Sequence, residues 1–207
     1  MCIRDRACGF RIVDFMKRAI FPLPVFILPE GFTKLRIFEQ RYLTMVKEAV
    51  QDNTGFVLCT YQHDTDLNLP EIGCLVQITD FNQDDSGQLL IDVYAEHAVS
   101  MHNAYQDKQQ LRHADIELIT SPSWYVNTPI NDENTLLSDT LRAVFANQPD
   151  LAGLYKTPQF DNLAWVVARW LEILPISLVK KQQLAFKSNF ENLLSFLHTL
   201  INNEFTD

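Results

Sequence analysis

Glycine is scarce and scattered. The six residues (Gly9, Gly31, Gly55, Gly73, Gly87 and Gly153) never cluster, and G-x-x-x-x-G-K-[ST] does not occur. A phosphate-cradling loop needs clustered glycines at a strand-to-helix turn, so the chain argues against nucleotide hydrolysis. Cysteine is equally sparse: Cys2, Cys8, Cys59 and Cys74 contain no C-x-x-C pair. A chain of 207 residues can bury a core without disulfides, so the expectation is reduced, buried thiols and a cytoplasmic location. Long apolar runs are missing too, since nothing approaches the roughly 18–20 residues of a membrane helix. The apolar segment after Lys17-Arg18 has prolines and no small-residue cleavage site, which argues against a signal peptide. Basic residues are short in the first half. Residues 19–132 hold six Lys/Arg against sixteen Asp/Glu, residues 133–207 six against eight, and the net charge is −9. A polyphosphate partner needs a basic face, so nucleic acid is not expected.

Catalytic and metal motifs are also lacking. Cys59, His63, Asp64 and Cys74 stand at suggestive spacing, but a zinc site usually needs two close ligand pairs. No metal and no cofactor are expected. Cys59 or Cys74 with His97 or His102 could make a nucleophile and base, yet no nucleophile motif surrounds either cysteine. Ser177 beside Lys180-Lys181 reads as a helix cap with a solvated face. Asp84-Asp85 reads as turn chemistry. The chain is expected not to be an enzyme.

What is present is globular: 47% apolar and 21% charged residues. The most informative stretch is IFPLPVFILPEGFTKLRIFEQRYLTMV, residues 20–46. Residues 20–28 are apolar at odd and even positions, as in a strand buried on both faces. Pro22 and Pro24 cannot donate to a ladder, which confines that part to a strand entrance or an edge. Pro29-Glu30-Gly31 turns the chain, and residues 35–50 carry Phe38, Tyr42, Met45, Val46 and Ala49 at helical spacing.

Strands follow at 56–61, 74–81, 88–93, 99–104 and 113–119, with 82–87 as a hairpin loop. Residues 121–134 read as a linker. Beyond it the spacing becomes helical. Leu137, Leu141, Val144 and Phe145 mark one helix. Leu163, Val167, Trp170, Leu171 and Leu174 mark another, with Thr157-Pro158 as its start and Pro175 as its stop. Residues 178–186 make a third, and Ser188 with Glu191 reads as the capping box of a fourth. Trp165, off the apolar stripe, is expected to pack toward the β domain. The fold class is α+β: a barrel-like β domain with one early helix (16–120), a linker (121–134) and a helical bundle (135–207). MCIRDR is the translation of a transposase end sequence used in DNA library preparation, so residues 1–15 are expected to be a non-native leader and Met16 the natural start.

From residue 19 onward the chain resembles the substrate-binding N-terminal domain of the Lon protease family in free-standing form. IFPLPVFILPEG resembles the family's "FPL…V.FPG" strand, LRIFEQRYLTMV its "L.IFE.RY..MV" helix, and EIGCLVQITDF with DSGQLLIDV its hairpin. AWVVARWLEILPISLVKKQQLAF resembles its helix-proline-helix segment. One departure stands out: residues 94–99 lack the family's "G..RF". The resemblance implies a PUA-like β pseudo-barrel followed by a helical bundle, acting as a noncatalytic module for protein or peptide segments in protein quality control. An RNA-binding PUA-like module and a small-molecule sensor or enzyme with a barrel pocket stay open as alternatives. The peptide contacts are expected at Leu23, Val25, Phe26, Phe32, Glu39, Arg41 and Tyr42, where an open strand edge beside a helix could accept an extended segment. Glu39, Arg41 and Tyr42 also fit a purely structural role in holding the helix to the barrel.

Overall fold

The computed structural model describes residues 16–63, 65–120 and 122–205. The expected leader, with Cys2 and Cys8, lies outside the described residues, as does Asp64. Six strands form one sheet: β1 (Met16–Pro22), β2 (Phe32–Ile37), β3 (Phe56–Cys59), β4 (Ile72–Gln83), β5 (Leu89–Gln106) and β6 (Arg112–Leu118). Their order is β2-β5-β4-β3-β1-β6, and an added β5–β6 pairing closes the sheet into a ring. β1 runs parallel to β3 and antiparallel to β6. β5 spans 18 residues because it serves three partners, pairing with β2, β4 and β6 in turn. Register shifts at Leu75/Val76, Ile78/Asp80 and His102/Tyr105 bend the long strands around the ring. The result is α+β, with a ring that departs from a regular barrel.

Alternation along β1 and β3 feeds two separate cores. Ile20, Val57 and Cys59 join Leu75, Val99, Met101, Ala114 and Ile116. Phe21, Phe56 and Leu58 join Cys74, Val76, Ile91 and Val93, together with Tyr42, Met45, Val46 and Ala49 of helix α1 (Gln40–Asp52). Burial on both faces is why Ile20 and Phe21 of β1 and every residue of β3 are apolar at successive positions.

The structure corrects three sequence expectations here. The apolar run 20–28 is not one strand. β1 stops at Pro22, where Leu23 N still donates to Cys59 O at 2.9 Å, and the chain then crosses to the bundle. Pro22 and Pro24 supply no donors to continue a ladder. Nor does β1 offer an open edge, since β3 and β6 flank it on both sides; β2 ends the strand order instead. Finally, the helix expected from residue 35 begins at Gln40, because residues 32–37 form β2 against β5. Leu35 and Ile37 alternate with exposed Lys34 and Arg36, a period of two that competes with the helical spacing.

The bundle comprises α2 (Thr135–Asn147), α3 (Pro149–Leu154), α4 (Leu163–Ile173), α5 (Leu178–Phe186) and α6 (Phe190–Phe205). Phe26 and Leu28 of the crossing segment join its core. Trp165 packs there against Phe145, Tyr155 and Phe160, and Trp170 donates to Leu137 O at 2.9 Å. Each buried tryptophan contributes about 4–6 kcal/mol of transfer free energy at most. The stretch 122–134 is packed rather than loose: Trp124 is buried in the bundle core and donates to Ala185 O at 2.9 Å. Two caps sit elsewhere than expected. Asn162, not Thr157-Pro158, caps α4 by accepting from Ala164 N, and Asn189, not Ser188, accepts from Asn192 N in the first turn of α6.

Candidate functional site

A groove of about 610 Å³ opens where the ring meets α5. One wall is the end of the β3–β4 connection: Tyr61, Gln62, His63, Pro70, Glu71 and Ile72. The other is a single face of α5, where Val179, Gln182, Gln183, Phe186 and Lys187 recur at spacings of three and one. Val179 is 74% exposed and Tyr61 40%, so apolar surface faces solvent here. Behind the groove lies a small cavity of about 20 Å³ lined by Val25, Phe26, Ile27, Leu58, Cys59 and Cys74, among others. Ile72, Gln182 and Phe186 border both spaces, and Gln182 Nε2 donates to Thr60 Oγ1 at 2.6 Å across the boundary.

The α5 wall is held in place by a buried polar latch. Arg169 and Glu172 of α4 pair at 2.7 Å, Arg169 Nη2 donates to Pro29 O at 3.0 Å, and Leu28 N donates to Glu172 Oε1 at 2.7 Å. Lys181 Nζ of α5 donates to Glu172 O at 2.7 Å. Gly31 makes room for the carboxylate, because a Cβ there would collide with Glu172 Oε1. Burial raises the Glu172 pKa, with Arg169 as the largest opposing influence, and burial lowers that of Lys181. The latch thus ties α5, through α4, to the segment that leaves β1.

Burial pushes the Cys59 thiol up to about 12 and the Cys74 thiol higher still. Cys74 Sγ donates to Ile27 O at 3.3 Å, while His97 sits on the surface beside Glu96. Asp84 accepts from Ser86 N, Ser86 Oγ and Gln88 N, closing the β4–β5 turn. Ser177 caps α5 by accepting from Lys180 N. No group of three or more metal-ligand side chains occurs among the described residues.

The sequence model of the ATP-dependent protease La (Lon) substrate-binding domain matches residues 17–203. The chain belongs to the Lon substrate-binding domain family. Solved structures agree on the fold. A Lon N-terminal domain protein from Xanthomonas campestris superposes with a TM-score of 0.67 at 22% identity, covering 89% of this chain and 98% of that one. The N-terminal domain of the Mycobacterium avium complex Lon protease gives 0.57 at 11% identity, covering 90% and 97%. No curated protein matches the sequence.

In this Lon-family domain, the residues singled out from sequence fall into four places. Val25 and Phe26 line the inner cavity behind the groove, and the Phe26 ring lies 6.3 Å from that of Phe186. Leu23 packs on the ring core. Phe32 opens β2, with its ring 4.8 Å from Tyr94 and 5.1 Å from Tyr155, and its N–H donates to the Tyr155 hydroxyl. Glu39, Arg41 and Tyr42 gather at the start of α1: Glu39 pairs with Arg41 at 2.7 Å, and the Tyr42 ring sits 4.0 Å from that of Phe21. The structure does not bring these four sets together into one surface.

The groove-facing residues Tyr61, Ile72, Val179, Gln182 and Phe186 were not singled out. A signal existed in α5. Its core stripe is Lys181, Leu184 and Ala185, so Val179 and Phe186 are apolar residues off that stripe.

Proposed function

We propose that this Lon-family domain is a noncatalytic binding module that seats extended, exposed segments of other polypeptides in the groove between the β3–β4 connection and α5. The observation that carries this reading is the groove itself. Its volume falls in the range typical of ligand sites, and solvent-facing Val179 and Tyr61 flank it. Gln62, Gln182 and Gln183 line it with side-chain amides, each able to donate and accept toward a peptide backbone. An apolar side chain of the bound segment would rest between Val179, Phe186 and Ile72.

On this reading Val25 and Phe26 act from behind, fixing the back of the groove, and Leu23, Phe32, Glu39 and Tyr42 position the elements around it. The buried, free thiols Cys59 and Cys74 suit a cytoplasmic protein, and no helix among the described residues is long and apolar enough to cross a membrane.

Fluorescence anisotropy with a labelled, permanently unfolded, carboxymethylated protein tests the proposal. The intact chain should bind, and Val179→Asp should weaken binding by about tenfold, equivalent to about 1.4 kcal/mol. Because Val179 is exposed, the substitution should leave thermal unfolding unchanged. Equal binding by both proteins, or no binding at high micromolar concentration, would refute the groove as the seat.

A further inference from the structure

Residues 19–132 carry six basic and sixteen acidic residues, yet two of the six bases converge at one end of the ring. Arg41 lies in the first turn of α1, with its guanidinium 4.7 Å from the centre of the Tyr42 ring. Its Nη2 pairs with Glu39, and its Nη1 donates to Gln110 O at 3.2 Å in the β5–β6 turn. Two residues further on, Arg112 opens β6 directly opposite Ile20 of β1. Burial raises the Tyr42 pKa, and Arg41 and Arg112 both pull it back down, so both cations act on the same phenol. Arg112 also opposes the upward shift of the Cys59 thiol at the end of β3.

These two cations are incompletely satisfied. Nε of Arg41 and Nε of Arg112 are both buried without a hydrogen-bond partner among the described residues. Glu39 is taken by Arg41, and no carboxylate lies within 4.0 Å of Arg112 among the described residues. An unpaired guanidinium in so acidic a setting invites an anion, and its fork of donors matches a carboxylate. The cluster lies at the same end of the ring as one groove wall: Arg112 pairs with Ile20, Ile20 pairs with Val57, and groove-lining Tyr61 follows four residues further along the chain.

We propose that Arg112, with Arg41 beside it, forms an anion subsite at the end of the groove that receives a carboxylate of the bound polypeptide. The proposal rests on the groove reading above and adds a chemical preference to it. The carboxylate can come from the chain terminus or from an Asp or Glu side chain. A polyphosphate is disfavoured, because the chain's net charge of −9 would repel its further charges.

Three labelled peptides of one apolar sequence test this with the intact protein: a free C-terminal acid, the C-terminal amide, and the amide with an internal Glu. The acid should bind about tenfold more tightly than the amide, as a charge-assisted hydrogen bond would give, and should move the Nε–Hε NMR resonance of Arg112. Arg112→Gln should bring the acid down to the affinity of the amide without changing the amide's own. Recovery by the internal-Glu peptide would assign side-chain carboxylates, and its failure would assign the terminus; both support the subsite. Equal binding of acid and amide to the wild-type protein would overturn it while leaving the groove reading intact. If no peptide binds, the groove reading falls, and acetate titration decides the subsite: a shift at Arg112 Nε–Hε supports it and none overturns it. A larger shift with inorganic phosphate than with acetate, with competition by an RNA oligonucleotide, would also overturn it.

Discussion

Replacing Arg169 by Met while leaving Glu172 in place would strip a buried carboxylate of its counter-charge. Arg169 is 1% exposed, and Glu172 meets it at two points, 2.7 and 2.9 Å. Breaking one side of such a pair costs about 3–5 kcal/mol, whereas replacing both partners by apolar residues is often near neutral. In the double variant R169M/E172M, Leu28 N–H also loses its acceptor, which costs about 1–3 kcal/mol. The expected order of stability is therefore wild type, then the double variant, then R169M. Acidity gives a second handle. The folded Glu172 pKa lies above its ordinary value of 4.5. A carboxyl raised on folding contributes its full stability below the unfolded pKa and loses it as pH rises through the folded one. Removing Arg169 drives the folded value higher still. The deficit of R169M should therefore be largest near pH 8 and should narrow toward pH 5. Urea unfolding followed by tryptophan fluorescence suits the assay, since Trp124, Trp165 and Trp170 all lie in the bundle core. Should R169M prove no less stable than the double variant, or its deficit be the same at both pH values, the latch argument fails.

Gly31→Ala should cost about 1–3 kcal/mol by overpacking, because the added methyl would come within 2.8 Å of Ile27 Cγ1 and 2.9 Å of Leu28 O; a urea midpoint equal to wild type would contradict it. Gln182→Ala removes the hydrogen bond to Thr60, which is buried, and should destabilise by about 1 kcal/mol, read from the same curves. With their pKa values raised by burial, Cys59 and Cys74 should resist a thiol reagent at pH 8 in the native protein and react in urea. Peptide mapping by mass spectrometry checks this, and native labelling of either residue would count against it.

How much of this was legible in the sequence depended on locality. The span of α5 and the Pro175 stop after α4 followed from helical spacing and local signals, and the structure places them there. β2 was hidden because Leu35, Phe38, Tyr42 and Met45 satisfy helical spacing while residues 32–37 also alternate; pairing with β5, some 55 residues downstream, decided the matter. The merging of two expected strands into β5 was hidden for the same reason, as bulges rather than turn residues bend it. The groove needed Ile72 and Val179 brought together by contacts such as Leu28 to Glu172, which no local pattern encodes. The Lon-like opening motif was legible as a family signature, but its proline-limited edge was not an edge.

The ring's closure has a consequence for the order of folding. Met16 pairs with Ile116, so β1 has no partner on that side until β6 has been synthesised, and Leu28 N–H waits longer still for Glu172. Pairings so distant in sequence form late, because their loop-closure entropy is offset only once both ends are in place. Throughout that interval the nascent chain carries residues 20–28 without their full set of native neighbours, β3 being the one strand partner made early. Pro22 and Pro24 interrupt this apolar run where a neighbouring chain could otherwise add to it as a strand. The same two prolines that end β1 in the finished fold therefore guard it during synthesis.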